Sequence, residues 1–219
     1  MVASLSPPVI WMQTALALAR AGLGTTAPNP SVGCVLVQNG RIVGAGTTAP
    51  GGRPHAETIA LAQAGRAARG ATAYVTLEPC AHTGVTPPCA DALIEAGVSR
   101  VVIACPDKDV RVDGRGAQRL SSAGICVVCG IRQDAALALN TGFFSVLERG
   151  RPFVGIDDEP RGYDLTLEAE PQGELTAMLE ALAQSGHTRV RARPGTGMAQ
   201  ALSRANLVDC DAQTGTTSR

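Results

Sequence analysis

The sequence predicts an α/β fold, a mixed sheet with helices on both faces. Two observations carry it. Short β-branched runs alternate with segments of helical apolar spacing between residues 72 and 147. Ahead of them, Val32–Val37 and Arg41–Gly46 flank Gln38-Asn39-Gly40, an Asn-Gly turn signal that joins two antiparallel strands. A hairpin followed by strand–helix alternation implies antiparallel and parallel neighbours in one sheet.

Each element follows from its residues. Trp11–Gly22 has apolar positions at helical spacing and ends in glycine. After the hairpin, His55–Gly65 reads as a helix and Thr72–Leu77 as a buried strand. Cys89–Gly97 is a helix opened by Pro87-Pro88. Strand Arg100–Ala104, helix Gly116–Ala123, strand Ile125–Val128 and helix Asp134–Leu147 complete the series. Beyond Arg151–Ile156 the pattern weakens, because Pro160, Gly162 and the stretch Pro171–Gly173 break it. Glu174–Ser185 and Gly197–Ala205 read as helices and Arg189–Ala192 as a weak strand, while the polar tail Asp211–Arg219 is expected to fray.

Composition excludes several classes. Hydrophobic residues at 45% with charged residues at 17% are globular proportions. Nineteen basic and nineteen acidic groups leave no net charge, so nothing marks a broad nucleic-acid surface. The apolar runs are far shorter than the roughly 20 residues that span a membrane. Trp11–Leu23 has no basic residue before it and contains Arg20, which argues against a secretory signal, so a cytoplasmic protein is expected. Seven cysteines, an odd number in a chain of 219 residues, suit reduced thiols or a metal better than a disulfide framework. Residues 1–150 hold 12 basic and 9 acidic groups and residues 151–219 hold 7 and 10, which places a domain boundary near 150.

One constellation carries chemistry. Pro54-His55-Ala56-Glu57 opens a helix, and Glu78-Pro79-Cys80 leads through residues 81–88 to Cys89. His-x-Glu followed by Pro-Cys and a second cysteine is the pattern of zinc nucleobase deaminases. One imidazole and two thiolates supply three zinc ligands and leave a fourth position for water, as in catalytic sites. Glu57 is then the proton shuttle, taking a proton from water and passing it to a ring nitrogen and to the departing amine. A closed structural site would need His82 or Cys105 as fourth ligand, but structural pairs sit two to four residues apart, not nine. Cys126-Val127-Val128-Cys129 matches a redox motif by letter, yet lies in a strand pattern and reads as core cysteine. Cys34 and Cys105 read as buried strand residues, and Cys210 and His187 as uninvolved. The arginines between residues 111 and 119 read as a solvated face.

These residues resemble the deaminase half of the bifunctional riboflavin-pathway pyrimidine deaminase/reductase. The resemblance covers about residues 11–155 and rests on Pro28-Asn29-Pro30-Ser31-Val32-Gly33, on Gly51–Glu57 and on Tyr74–Cys89 with its Thr86-Pro87-Pro88-Cys89 ending. It implies a cytidine deaminase-like three-layer sandwich around a five-stranded mixed sheet. It implies Zn2+ held by His55, Cys80 and Cys89, with Glu57 as acid/base. It also implies substrate contacts from Asn29, Ala56, Glu78, His82 and Asp107. The implied substrate is 2,5-diamino-6-(5-phosphoribosylamino)pyrimidin-4(3H)-one, deaminated with release of ammonia. No nucleic-acid or membrane partner is expected, and homo-oligomers are compatible with the sequence.

Three positions depart from the family pattern. Thr48 stands where histidine is usual, Val85 where Lys or Arg is usual, and Asp107-Lys108-Asp109-Val110 where the family reads Asp-Pro-Asn-Pro. Residues 151–219 resemble only fragments of the reductase. Its Glu-Gly-Gly turn stands as Arg193-Pro194-Gly195, so the region is expected to be a truncated remnant that does not bind NADPH. Two other readings stay open: a deaminase of a cytidine-, guanine- or adenosine-type substrate, and an inactive homologue kept for partner binding.

Overall fold

The computed structural model describes residues 6–82, 87–110, 112–169 and 173–217. Its chain divides into two compact units: residues up to Gly22 with Ser31–Leu139, and Leu23–Pro30 with the residues from Asn140 onward.

In the first unit, helix α1 (Pro7–Gly22) starts four residues before the predicted Trp11, because prolines at a first turn need no amide partner. Strands β1 (Gly33–Gln38) and β2 (Arg41–Thr47) form the predicted hairpin, with Gln38 opposite Arg41. Asn39 and Gly40 both have positive φ, 51° and 71°, as the tight hairpin turn requires. Strands β3 (Thr72–Leu77), β4 (Arg100–Cys105) and β5 (Cys126–Cys129) run parallel to one another, and β3 pairs antiparallel with β1. The sheet order is β2-β1-β3-β4-β5. Helices α2 (Ala56–Ala64), α3 (Cys89–Glu95) and α4 (Arg115–Ser122) contact one another in series on one face, while α1 and α5 (Gln133–Leu139) meet on the other. This is the expected three-layer sandwich. Cys34, Val35, Val75, Val101 and Cys105 are fully buried in its core, so Cys34 and Cys105 lie where the sequence placed them.

Two expectations are corrected here. Cys126 and Cys129 are exposed rather than core residues, because β5 is an edge strand. The single helix expected over Asp134–Leu147 is two helices, α5 and α6 (Thr141–Arg149), separated at Asn140. The cause is packing within the second unit: a Cβ on Gly142 would lie 2.2 Å from Arg189 Cγ, so α6 lies against the region of β8 (Arg189–Ala192).

The second unit has its own sheet and core. Strands β6 (Phe153–Ile156), β7 (Leu165–Thr166), β8, β9 (Cys210–Asp211) and β10 (Thr216–Thr217) adopt the order β10-β9-β6-β8-β7. The tail expected to fray therefore carries the antiparallel β9–β10 pair. Val154, Leu179, Val190 and Leu202 are fully buried between the sheet and helices α7 (Leu175–Gln184) and α8 (Gly197–Arg204). The buried Asp209 accepts hydrogen bonds from Arg149, Arg151 and the Val154 amide, joining α6 to β6. A cleft of about 340 Å3 lies at the carboxyl ends of β6 and β9, lined in part by Pro194, Gly195 and Asp211.

Candidate active site

The site lies at the carboxyl ends of β3 and β4, where open α/β sheets place their ligands. Its parts arrive on three segments. His55 is the residue before α2, with extended backbone (φ −70°, ψ 158°), so it stands outside the helical spiral that would turn it away from Glu57. Cys80 follows β3 by the short link Glu78-Pro79. Cys89 is the first residue of α3, immediately after Pro88. Both His55 and Cys89 thus sit at helix N-termini, where backbone amides favour thiolate and other negative charge.

The donor atoms of His55, Cys80 and Cys89 all lie within 4.8 Å of one another, the one such cluster among the described residues. His55 Nδ1 is 3.2 Å from Cys89 Sγ and 3.8 Å from Cys80 Sγ. Tetrahedral zinc with Zn–S of about 2.3 Å and Zn–N of about 2.0 Å requires N···S edges of about 3.6 Å, so the three donors fit that ion. The Cys89 amide donates to Cys80 Sγ at 3.2 Å, and the Ala90 amide to the Cys80 carbonyl. Hydrogen bonding from the Cys89 thiol, supported by His55 and the Cys89 amide, holds the Cys80 thiol down at about 4. The same bond raises the Cys89 thiol.

Glu57 is buried at 4% exposure beside this cluster. Burial, then the negative charge of Cys80, pushes its carboxyl up to about 7. A carboxyl poised near neutrality can both accept and donate a proton at working pH. Behind it lies the buried Cys34 thiol, raised by burial and by the charge of Glu57.

The remaining predicted residues fall in different settings. Ala56 is fully buried in the first turn of α2. His82 Nδ1 is buried and has no hydrogen-bond partner among the described residues. Asp107, after β4, is 7% exposed and accepts from the Asp109 amide. Burial, and then the charges of Asp109 and Glu78 against that hydrogen bond, push it up to about 6. Glu78 is committed elsewhere: its two oxygens accept from the Gly114 and Ala117 amides, capping α4. Asn29 belongs to the segment that groups with the second unit, where its amide and carbonyl bond Thr26. Of the departures, Thr48 accepts the Val32 amide at 3.0 Å, and Val85 lies outside the described residues. Gly116 and Arg119 of α4, which nothing in the sequence marks as neighbours of the site, contact the cysteine-bearing segments. A glycine and an arginine on a surface helix carry no signal of that.

The sheet order and the His–Cys–Cys donor set beside a buried glutamate define the cytidine deaminase-like class of zinc-binding proteins. Residues 9–105 match the family model of the cytidine and deoxycytidylate deaminase zinc-binding region. The riboflavin biosynthesis protein RibD of Haemophilus influenzae is 56% identical over 149 residues, 68% of this chain and 40% of that protein. The diaminohydroxyphosphoribosylamino-pyrimidine deaminase of Buchnera aphidicola is 47% identical over 144 residues, 66% of this chain and 98% of that protein. The solved structure of Acinetobacter baumannii RibD superposes with a TM-score of 0.80 at 30% identity, covering 93% of this chain and 85% of that one. The chain belongs to the diaminohydroxyphosphoribosylaminopyrimidine deaminase family of riboflavin biosynthesis. It spans about 40% of the length of the first RibD relatives it matches.

Proposed function

We propose that this chain hydrolytically deaminates 2,5-diamino-6-(5-phosphoribosylamino)pyrimidin-4(3H)-one, replacing the 2-amino group by oxygen from water and releasing ammonia. The observation that carries the reading is the convergence of His55, Cys80 and Cys89 within 4.8 Å beside a buried Glu57 raised to about 7. Zinc, held by those three side chains, supplies a Lewis acid that lowers the pKa of water to near neutrality. Glu57 accepts the proton that the attacking water loses and delivers it to the ring nitrogen. It then carries a second proton to the departing amine, so water and substrate become the oxo product and ammonia. Burial of Ala56 and Cys89 keeps bulk water from this carboxylate and strengthens its hydrogen bonds.

Asp107 and His82 are assigned to the substrate: Asp107 is largely withdrawn from water, and the half-buried His82, two residues after Cys80, retains an unbonded nitrogen. Ala56 and Glu78 contribute through backbone position, since the Glu78 carboxylate caps α4. The role of Asn29 rests on the resemblance. Residues 151–219 are a truncated reductase-like remnant that keeps a closed core, and a cytoplasmic location suits a riboflavin-pathway enzyme. Turnover in water enriched in heavy oxygen tests the reaction: one heavy oxygen enters the pyrimidine for each ammonia released. Ammonia release without that incorporation would contradict hydrolysis.

One observation favours a second reading, a deaminase of a smaller unphosphorylated base or nucleoside. Thr48 is 2% exposed and its hydroxyl is tied to the Val32 amide, so it offers a phosphate no cation. Faster turnover of the unphosphorylated substrate would select that reading.

A further inference from the structure

Helix α4 contacts both cysteine-bearing segments without supplying a metal ligand. Glu78 Oε1 and Oε2 accept from the Ala117 and Gly114 amides at 3.0 and 3.1 Å. At Gly116 the helix lies so close to the link that an added Cβ would sit 2.0 Å from the Pro79 carbonyl oxygen. One turn on, Arg119 Nη1 donates to the Ala81 carbonyl at 3.3 Å, while Nε and Nη2 engage Asp91 Oδ1 and Oδ2 at 2.5 and 2.8 Å. Ala81 is the residue after Cys80, and Asp91 lies two residues after Cys89. The planar guanidinium fork therefore bridges one segment to the other, a job a flexible ammonium cannot do in the same geometry.

We propose that α4 is a splint for the metal site, and that Arg119 is a positioning residue holding the Cys80 and Cys89 segments at ligand distance. The proposal rests on the reading that His55, Cys80 and Cys89 bind zinc. Cys80 and Cys89 stand nine residues apart in sequence, a separation that chain connectivity alone does not convert into a fixed distance. The Cys89 amide bond to Cys80 Sγ and the Ala90 amide bond to the Cys80 carbonyl tie the two segments on the inside. Arg119 ties them on the outside. Because the Arg119 side chain is 48% exposed, its removal leaves the core intact and acts on that tie. Segments less firmly tied would let one thiolate leave a bound ion more often, which appears as faster metal release.

The test uses the full-length, zinc-loaded chain and reads zinc transfer to a chromophoric chelator, together with the absorption bands of the cobalt-substituted protein. Arg119→Ala is expected to bind one zinc per chain but to release it about tenfold faster, the low end of the effect of residues supporting metal ligands. Its cobalt ligand-field bands are expected to shift. Asp91→Asn is expected to accelerate release in the same direction, and Arg119→Lys to fall between Arg119→Ala and the parent. Arg115→Ala removes an exposed charge from the same helix and is expected to release zinc at the parent rate. Equal release rates and unchanged cobalt bands in Arg119→Ala and the parent would overturn the splint while leaving the metal site standing. A parent chain that binds no zinc would overturn the metal-site reading itself, and the splint with it.

Discussion

Gly116→Ala offers a sharp test because two physical arguments predict opposite signs. Helix propensity alone favours alanine over glycine by about 0.5–1 kcal/mol in a helix interior. Gly116 is buried in α4, and its new Cβ would lie 2.0 Å from Pro79 O and 3.2 Å from Glu78 Cγ. The first distance is more than about 1 Å inside van der Waals contact, and the Pro79 oxygen is a backbone atom that cannot turn aside, so helix and link must separate. A clash this deep against backbone belongs at the upper end of the about 1–3 kcal/mol that overpacking costs, which leaves a net destabilisation of about 2 kcal/mol after the propensity gain. The chain has one tryptophan, Trp11 on α1, so its fluorescence reports unfolding of the first unit. In urea the midpoint is expected to fall at unchanged slope, and the melting temperature to drop by about 3–6 °C. A variant as stable as the parent, or more stable, would refute the close α4–Pro79 packing.

Other outcomes follow from the same geometry. Glu57→Gln is expected to retain zinc and to lose about 10²–10⁴ in kcat, measured as ammonia release. Asp209 is held below its ordinary value of 3.8: burial opposes this, but hydrogen bonds from Arg149, Arg151 and the Val154 amide prevail. Its contribution is therefore fully present above the unfolded value and lost as pH falls through the depressed folded value. Asp209→Asn should cost about 2–3 kcal/mol at pH 7, and the gap from the parent should close below about pH 4 in urea titrations. Under native conditions a thiol reagent should modify Cys126 and Cys129 first and reach Cys34 and Cys105 only on unfolding, read by mass spectrometry of digests. NADPH is expected to show no saturable binding below about 1 mM, because Pro194 lacks an amide donor and Asp211 faces the cleft with a carboxylate.

The sequence made the metal site legible because its signals are local. His55 and Glu57 are two residues apart, proline precedes His55 and Cys89, and Asn39-Gly40 marks the hairpin by the positive φ it must adopt. What stayed hidden depended on partners distant in sequence. The valines between Cys126 and Cys129 give β5 a core-like pattern, but nothing local says that β5 stands last in the order β2-β1-β3-β4-β5 of the described residues. The break at Asn140 follows from the close approach of Gly142 to Arg189, nearly fifty residues away. Glu78 reads as a site residue from its place in the motif, whereas its carboxylate spends both oxygens on amides 36 and 39 residues further on. The tail reads as frayed because β9 and β10 are two residues each, too short to show a period.

The reaction proposed for the His55–Cys80–Cys89 site, with Glu57, is deamination of a phosphoribosyl-aminopyrimidine. The most direct measurement is ammonia release by the zinc-loaded chain over phosphoribosyl-diaminopyrimidinone, cytidine, guanine and adenosine, each run beside Glu57→Gln. Turnover of the phosphoribosyl compound is expected to exceed that of the other three and to collapse in Glu57→Gln. Stoichiometric zinc with no ammonia from that compound, or ammonia release unaffected by Glu57→Gln, would contradict it.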